Sequence, residues 1–508
     1  MNRLFAIRSL RRMRRVSADR LSWLWLACGA VLAPFAAWQT VIPAAAWLVP
    51  VFLLRFARTA SRAGIALPLL FLAYTAGTLA ASRGLPFSLL GLFGNVLFKG
   101  LAWTLPYAAD RIVAGRLSGW AKSLVFPSAF TAVDWALSLL KVSSSGSPAY
   151  SQAGNLALLQ ILSVTGMWGI TFLIMLFASI ANALWEEGFD WRPQRGQLLS
   201  FAAALTAILL YGNIRLNFAA PASLTVEAAT ITVGEGSIPS VDWSTFGRST
   251  DAERSALRPR LQATVAQMLE RSETALRGGA KVLSWQESSA WVLDEDRQEV
   301  LDRSAALAKQ YGAYLQISLE VFTRSLELPY LRNQSILIGP SGRTLWSYDK
   351  TYPVPYDEAF VTIAGPGRLP AVDSPYGRLS TAICYDTYFP ALLRQAGRAG
   401  TDILFAPTND VAPYASSALA MADFRAIENG FSIVRATGHG ISAVIDYQGR
   451  LLGDKVYSTT ADGILLTGIP TRGVATIYSR IGDAFAYLCA AVSVLLSALA
   501  LFRRRREI

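Results

Sequence analysis

Long apolar stretches constrain this chain more than any other feature of its sequence. A helix needs about 20 mostly apolar residues to cross a bilayer. Such windows recur near 21–38, 40–54, 64–82, 86–108, 120–140, 155–184 and 196–214, and once more at 478–502. The pattern predicts eight spans, to within about one, with a possible bend inside 155–184. Between them, residues 224–470 read as an ordinary water-soluble domain. With 508 residues, 53% of them hydrophobic, the chain has length for both parts. The expected division is a transmembrane bundle over 1–216, an extracytoplasmic domain over 217–477, and a last helix with a basic tail over 478–508.

Charge supports this layout. The net charge of +12 is concentrated in "RSLRRMRR" and "FRRRRE" at the two ends, beside apolar windows. Basic residues in that position are topology signals, so nucleic acid is not an expected partner. Arg55, Arg58, Arg62, Arg111, Arg116, Lys122, Arg192 and Arg195 fall on the same side as both ends, whereas the alternate loops carry little beyond Arg83 and Lys141. Both ends are therefore expected in the cytoplasm and 217–477 outside the inner membrane. The first apolar run lacks a cleavage context and reads as a retained helix. Lys99, Asp134 and Gln160 lie inside the spans, where ionisable groups are either functional or snorkel from helix ends.

In the soluble part, β-rich runs alternate with helical ones. Strands are expected at "TVEAATITV", "AKVLSW", "AYLQISLEVF", "QSILIGP", "LSTAICYD", "DILFAPT" and "FSIVRAT". Helices are expected at 250–277, 296–310, 390–399 and 416–429, and "GPSG" reads as a hairpin turn. This is a layered α/β domain, whose sites gather at strand ends. Glu287 in "KVLSWQESS", Lys350 in "LWSYDKTYPVPYDEAF" and Cys384 in "STAICYD" all fall there.

A thiol nucleophile needs a base for its proton and a cation nearby. The chain has a single histidine, His439, set among glycines and read as structural or substrate-facing. A desolvated carboxylate, Glu287, can serve as the base, and Lys350 can stabilise an oxyanion. This chemistry requires no metal, and no cofactor is expected. There is no P-loop and no G-x-S-x-G elbow. Taken alone, each of the three residues would more often be inert core or solvated surface. Their order and spacing favour a site.

The ordered set "WQES", "YDKTYPVPYDE" and "ICYD", with "TND", "FRAIENG" and "VRATGHGISAVIDYQGR" beyond it, resembles the carbon–nitrogen hydrolase (nitrilase) superfamily. That resemblance implies a Glu287–Lys350–Cys384 triad on an α-β-β-α sandwich. Here the sandwich would be inserted in a helical membrane bundle. With the spans and the stretches "LAPFAAW" and "QILSVTGMWGITFL", nearly the whole chain resembles the membrane-bound N-acyltransferases of that superfamily.

The resemblance implies a fatty acyl chain passing from phospholipid, through a Cys384 thioester, to the N-terminal amine of a lipoprotein, in a protein acting as a monomer. Glu358 would support the site, Trp243 would face lipid, and Tyr385 and Asp386 would lie beside the nucleophile. Segments 352–362 and 411–421 read as covers over the site. The chain departs from the family pattern at Gln286, Asp386, Gly438 and His439. A different amine acceptor, or water in a membrane-tethered amidase or nitrilase, is the alternative.

Overall fold

The computed structural model describes residues 20–83, 89–218, 223–234, 237–238, 249–325, 327–355, 358–410, 412–457 and 463–505. Trp243 lies outside these residues.

Every predicted apolar window holds a helix: Ser22–Leu32, Pro43–Thr59, Ala63–Ala81, Leu89–Val113, Gly119–Ser138, Trp168–Glu186, Arg195–Phe218 and Ala484–Arg505. Among the described residues, four helices are long and apolar enough to cross a membrane: Ala63–Ala81, Trp168–Glu186, Arg195–Phe218 and the 484–502 part of the last. The first window gives only an 11-residue helix, because Pro34 opens a 3-10 turn at Ala33–Phe35 that ends it. The window 155–184 bends at Gly166, whose φ is +61°. A side chain at Gly166 would press on the Tyr478 ring, with Cβ 2.4 Å from a ring carbon. Lys99 and Asp134 do not snorkel; both are buried within their helices. Gln160 is buried at the seam with the sheet domain, donating to the Gln448 carbonyl at 2.9 Å and accepting from Arg215.

The strands, in chain order, are β1 (Thr225–Ile231), β2 (Val282–Trp285), β3 (Ala290–Leu293), β4 (Tyr314–Phe322), β5 (Leu331–Ile338), β6 (Thr344–Asp349), β7 (Ala371–Ser374), β8 (Gly377–Thr381), β9 (Ile403–Phe405), β10 (Thr408–Asn409), β11 (Ser432–Arg435), β12 (Thr437–Gly438), β13 (Ile441–Ile445), β14 (Leu451–Val456) and β15 (Ile464–Pro470). One sheet runs β15-β1-β2-β4-β5-β6, with β3 also paired to β4. A second runs β14-β13-β11-β9-β8-β7, and β10 pairs with β12.

The period-2 geometry of strands sorts their side chains between two cores. Ala228, Val282, Ile403, Phe405, Val434 and Val444 meet between the sheets. Their neighbours face outward. Ala229 and Leu283 pack under helices Asp251–Arg277 and Arg297–Tyr311, and Leu404, Ile433 and Ala443 under Pro390–Arg398 and Ala415–Asn429. The helix Asp251–Arg277 starts where the sequence signals it, with a Thr250–Glu253 capping box. "GPSG" turns β5 into β6, closed by Gly339 N–H to Arg343 O at 3.0 Å. Residues 415–421, read from sequence as part of a cover, are the first turns of a helix.

Strands β1, β2 and β4 are parallel, and β4, β5 and β6 alternate, so β6 ends on the same side as β2 and β4. In the second sheet β8, β9 and β11 are parallel. The segments that leave these strand ends carry Glu287, Lys350, Cys384 and Asn409.

Candidate active site

Glu287, Lys350 and Cys384 each lie beyond a strand rather than within it. Glu287 follows β2, which ends at Trp285, and Cys384 follows β8, which ends at Thr381. Cys384 opens a 3-10 turn, Cys384–Tyr388, instead of finishing a strand. Its φ is +46°, a left-handed conformation that a non-glycine residue holds only when its surroundings impose it. Here its amide donates to the Pro407 carbonyl at 2.9 Å, and its own carbonyl accepts the Thr387 hydroxyl at 2.7 Å.

Glu287 is buried and its carboxylate is fully engaged. One oxygen accepts from Lys350 Nζ and from Asn333 Nδ2, both at 2.8 Å; the other accepts the Asn409 amide at 2.9 Å. Lys350 is equally buried and also pairs with Glu358, which in turn accepts the Val354 amide at 2.8 Å. Cys384 Sγ lies 3.9 Å from the Asn409 carbonyl. The structure thus gathers Glu287, Lys350, Glu358 and Cys384 into one cluster.

Electrostatics follow from this packing. Burial pushes the Cys384 thiol well above its ordinary range and the nearby Glu287 carboxylate adds to that, while Lys350 opposes. For Lys350, burial alone would lower the affinity for its proton, but Glu287, Glu358 and Cys384 outweigh it and hold the ammonium well above its usual range. The resting cluster is a neutral thiol beside a carboxylate and an ammonium. That set can take a proton from sulfur as sulfur attacks a carbonyl and then face the oxyanion with a cation.

Asp386 is turned away from solvent. Its carboxylate accepts Tyr348 OH at 2.7 Å and the amides of Tyr352 and Ile383 at 2.8 and 3.1 Å, tying the segment after Lys350 to the turn that Cys384 opens. Burial pushes it up to about 6 despite these bonds. Tyr385 reaches the other way and donates to the Lys141 carbonyl at 2.9 Å.

His439 reaches the cluster through Asn409, with Nδ1 2.9 Å from Asn409 Oδ1. A Cβ on the neighbouring Gly438 would stand 2.7 Å from Asn409 Oδ1 and 2.8 Å from Gln286 Nε2, so those side chains would have to shift. Gln286 and Asn409 both lie against Gly438, so Gln286, Gly438 and His439, read from the sequence as departures from the family pattern, fall in one place.

Asn333 and Glu320 escaped the sequence reading. Glu320 Oε1 accepts the Ser288 hydroxyl at 2.7 Å next to Glu287, and burial holds its carboxyl well above the usual range. The available signal for Asn333 was a polar run, Asn333, Gln334 and Ser335, leading into the apolar Ile336–Ile338 of the same strand.

Residues 255–477 match the carbon–nitrogen hydrolase family. The chain is 28% identical over 440 residues to an apolipoprotein N-acyltransferase of Geobacter metallireducens, covering 81% of this chain and 80% of that one. It is 28% identical over 228 residues to a deaminated glutathione amidase of Synechocystis, covering 39% of this chain and 83% of that one. A crystal structure of an amidase from Nesterenkonia sp. overlaps 53% of this chain and 97% of its own, at 20% identity and a TM-score of 0.40.

Proposed function

Because the chain is an enzyme of the carbon–nitrogen hydrolase superfamily, we propose that it is a membrane N-acyltransferase carrying a fatty acyl chain from phospholipid to the N-terminal amine of a lipoprotein. Its layers are read as the nitrilase-type α-β-β-α sandwich set in a bundle of about eight spans, on the periplasmic side of an inner membrane.

In the first half-reaction Glu287 takes the thiol proton as Cys384 Sγ attacks the ester carbonyl. Lys350 faces the oxyanion, the ester C–O bond breaks, and the proton passes to the lysophospholipid alkoxide. In the second, the amine attacks the thioester and the C–S bond breaks. Glu287 receives the amine proton and returns it to sulfur. Glu358 and Asn333 keep Lys350 and Glu287 in place.

The observation that carries this reading is the buried Glu287–Lys350 pair, joined by Glu358, against Cys384 in a chain similar to acyltransferases over most of its length. The seam between bundle and sheets adds support. A cavity of about 250 Å³ there is lined by Val41, Pro43, Tyr150, Tyr414, Ala420 and Met421. The rings of Trp38, Tyr414, Tyr388 and Tyr385 lead from it to the nucleophile's turn, with successive centroids 5.5, 6.1 and 5.2 Å apart. An acyl chain lying there would present its carbonyl toward Cys384.

The similarity to an amidase over the sheet domain favours a second reading, in which water resolves the same acyl-enzyme. To test the first step, the purified protein is incubated with phospholipid and weighed intact. An acyl adduct on the wild type that is absent from Cys384→Ala is expected. No adduct, or an equal one on both, would end the proposal.

A further inference from the structure

Two charged side chains inside the helical bundle are left without a role by the chemistry above. Lys99, on helix Leu89–Val113, and Asp134, on helix Gly119–Ser138, are 1% and 2% exposed. Burying a charge among apolar helices is costly, and an apolar pair of the same size would pack there more cheaply. Their partners explain what they accomplish. Lys99 Nζ donates to the Ser145 carbonyl at 2.7 Å and to its hydroxyl at 2.9 Å, and lies 5.3 Å from the Trp38 ring centre. Asp134 Oδ2 accepts the Ser147 hydroxyl at 2.6 Å and the Thr171 hydroxyl at 2.9 Å. Both charges fasten one stretch, "SSSGS" at 143–147.

That stretch has little conformational preference of its own: its residues are small, and Ser143 and Gly146 both have positive φ, +58° and +80°. Directly before the two fastened serines, Ser145 and Ser147, sits Ser144. Its amide and hydroxyl both donate to the Tyr388 carbonyl, at 3.2 and 2.6 Å. Tyr388 closes the 3-10 turn that Cys384 opens, and Tyr385, inside the turn, is held from the same connection through the Lys141 carbonyl. A continuous path of named bonds joins two charges in the bundle to the left-handed turn bearing the thiol.

We propose that Lys99 and Asp134 are positioning residues for Cys384, acting through the 143–147 stretch and the bond from Ser144 to the Tyr388 carbonyl. The membrane bundle is then part of the catalytic architecture and not only an anchor. This inference rests on Cys384 being the nucleophile of the proposed acyl transfer.

Two readouts on the full chain separate the claims: the rate at which iodoacetamide alkylates Cys384, followed by peptide mass, and the rate of acyl adduct formation from phospholipid. Ser144→Ala, which removes the hydroxyl shared by the Tyr388 carbonyl and Tyr150 OH but little bulk, is expected to slow both by about tenfold, the scale of one hydrogen bond. The loss should fall in the limiting rate, with half-saturating phospholipid and Tm unchanged. Asp134→Leu is expected to slow both as much, and Asp134→Asn, which keeps an acceptor oxygen, to restore them. Wild-type alkylation in Ser144→Ala, or equal rates for the Asn and Leu variants at 134, would overturn the positioning role. A wild type that is alkylated but takes no acyl chain would overturn the proposed function instead, while the alkylation comparison still decides the positioning role.

Discussion

Lys99 and Lys350 are both 1% exposed, yet they sit in opposite electrostatic settings. Lys350 is clamped between the carboxylates of Glu287 and Glu358, against a thiol. Lys99 is held by a serine carbonyl and hydroxyl and by the face of an indole. The same residue type at the same burial serves different ends, and the partner decides which. Carboxylate partners make a charge relay suited to moving a proton, whereas neutral acceptors fix a loop without competing for protons.

The contrast breaks most plainly under substitution by methionine. Lys350→Met strands two carboxylates near a buried thiol and is expected to destabilise the fold by about 3–5 kcal/mol. It should also cut acyl adduct formation by about 10²–10³, as loss of an oxyanion partner does. Lys99→Met leaves Ser145 short of one donor and should cost about 1–3 kcal/mol. Thermal unfolding and intact mass on both variants give the comparison. Equal losses would mean that the two lysines do the same work.

A smaller effect sharpens the picture of the resting thiol. Burial raises Cys384, so its thiolate fraction stays low at neutral pH and grows with every step toward alkaline solution. The alkylation rate of Cys384 should still be climbing past the ordinary thiol value of 9.0. A plateau near neutrality would instead indicate a preformed thiolate–Lys350 pair and a different proton inventory.

The smallest expected effect concerns Asp386. Its folded-state value of about 6 exceeds the ordinary 3.8, so the folded protein holds a proton there that the unfolded chain has released. The resulting stabilisation is complete below 3.8 and is lost as pH rises through about 6. Asp386→Asn should flatten the decline in Tm across that window. An unchanged pH profile would remove Asp386 from this role.

Much of this was legible in the sequence because simple periodicities carried it. Apolar windows located the bundle helices, and alternation of strand and helix signals located the layered α/β domain. What stayed hidden depended on neighbours far apart in the chain. Asp386 reads locally as a polar residue beside the nucleophile, and only the fold shows its carboxylate turned inward onto Tyr348 and Tyr352. Lys99 and Asp134 were visible as anomalies in apolar windows, but their common attachment to 143–147 needs three helices in place. The short strands β3, β7 and β10 are too brief to show a period, so pairing across the fold defines them. Cys384 looked like a strand end because apolar Ala382 and Ile383 precede it; the positive φ that ends the run is a tertiary effect.

The central claim is that the acyl chain on Cys384 leaves to an amine. The direct measurement is a chase: load the wild-type protein with labelled phospholipid, remove the excess, add a diacylated lipopeptide with a free N-terminus, and follow both masses. The account predicts that the protein loses the acyl mass as the peptide gains it, faster than the adduct decays in buffer alone. Release of free fatty acid at one rate with or without the peptide would contradict it and assign the site to hydrolysis.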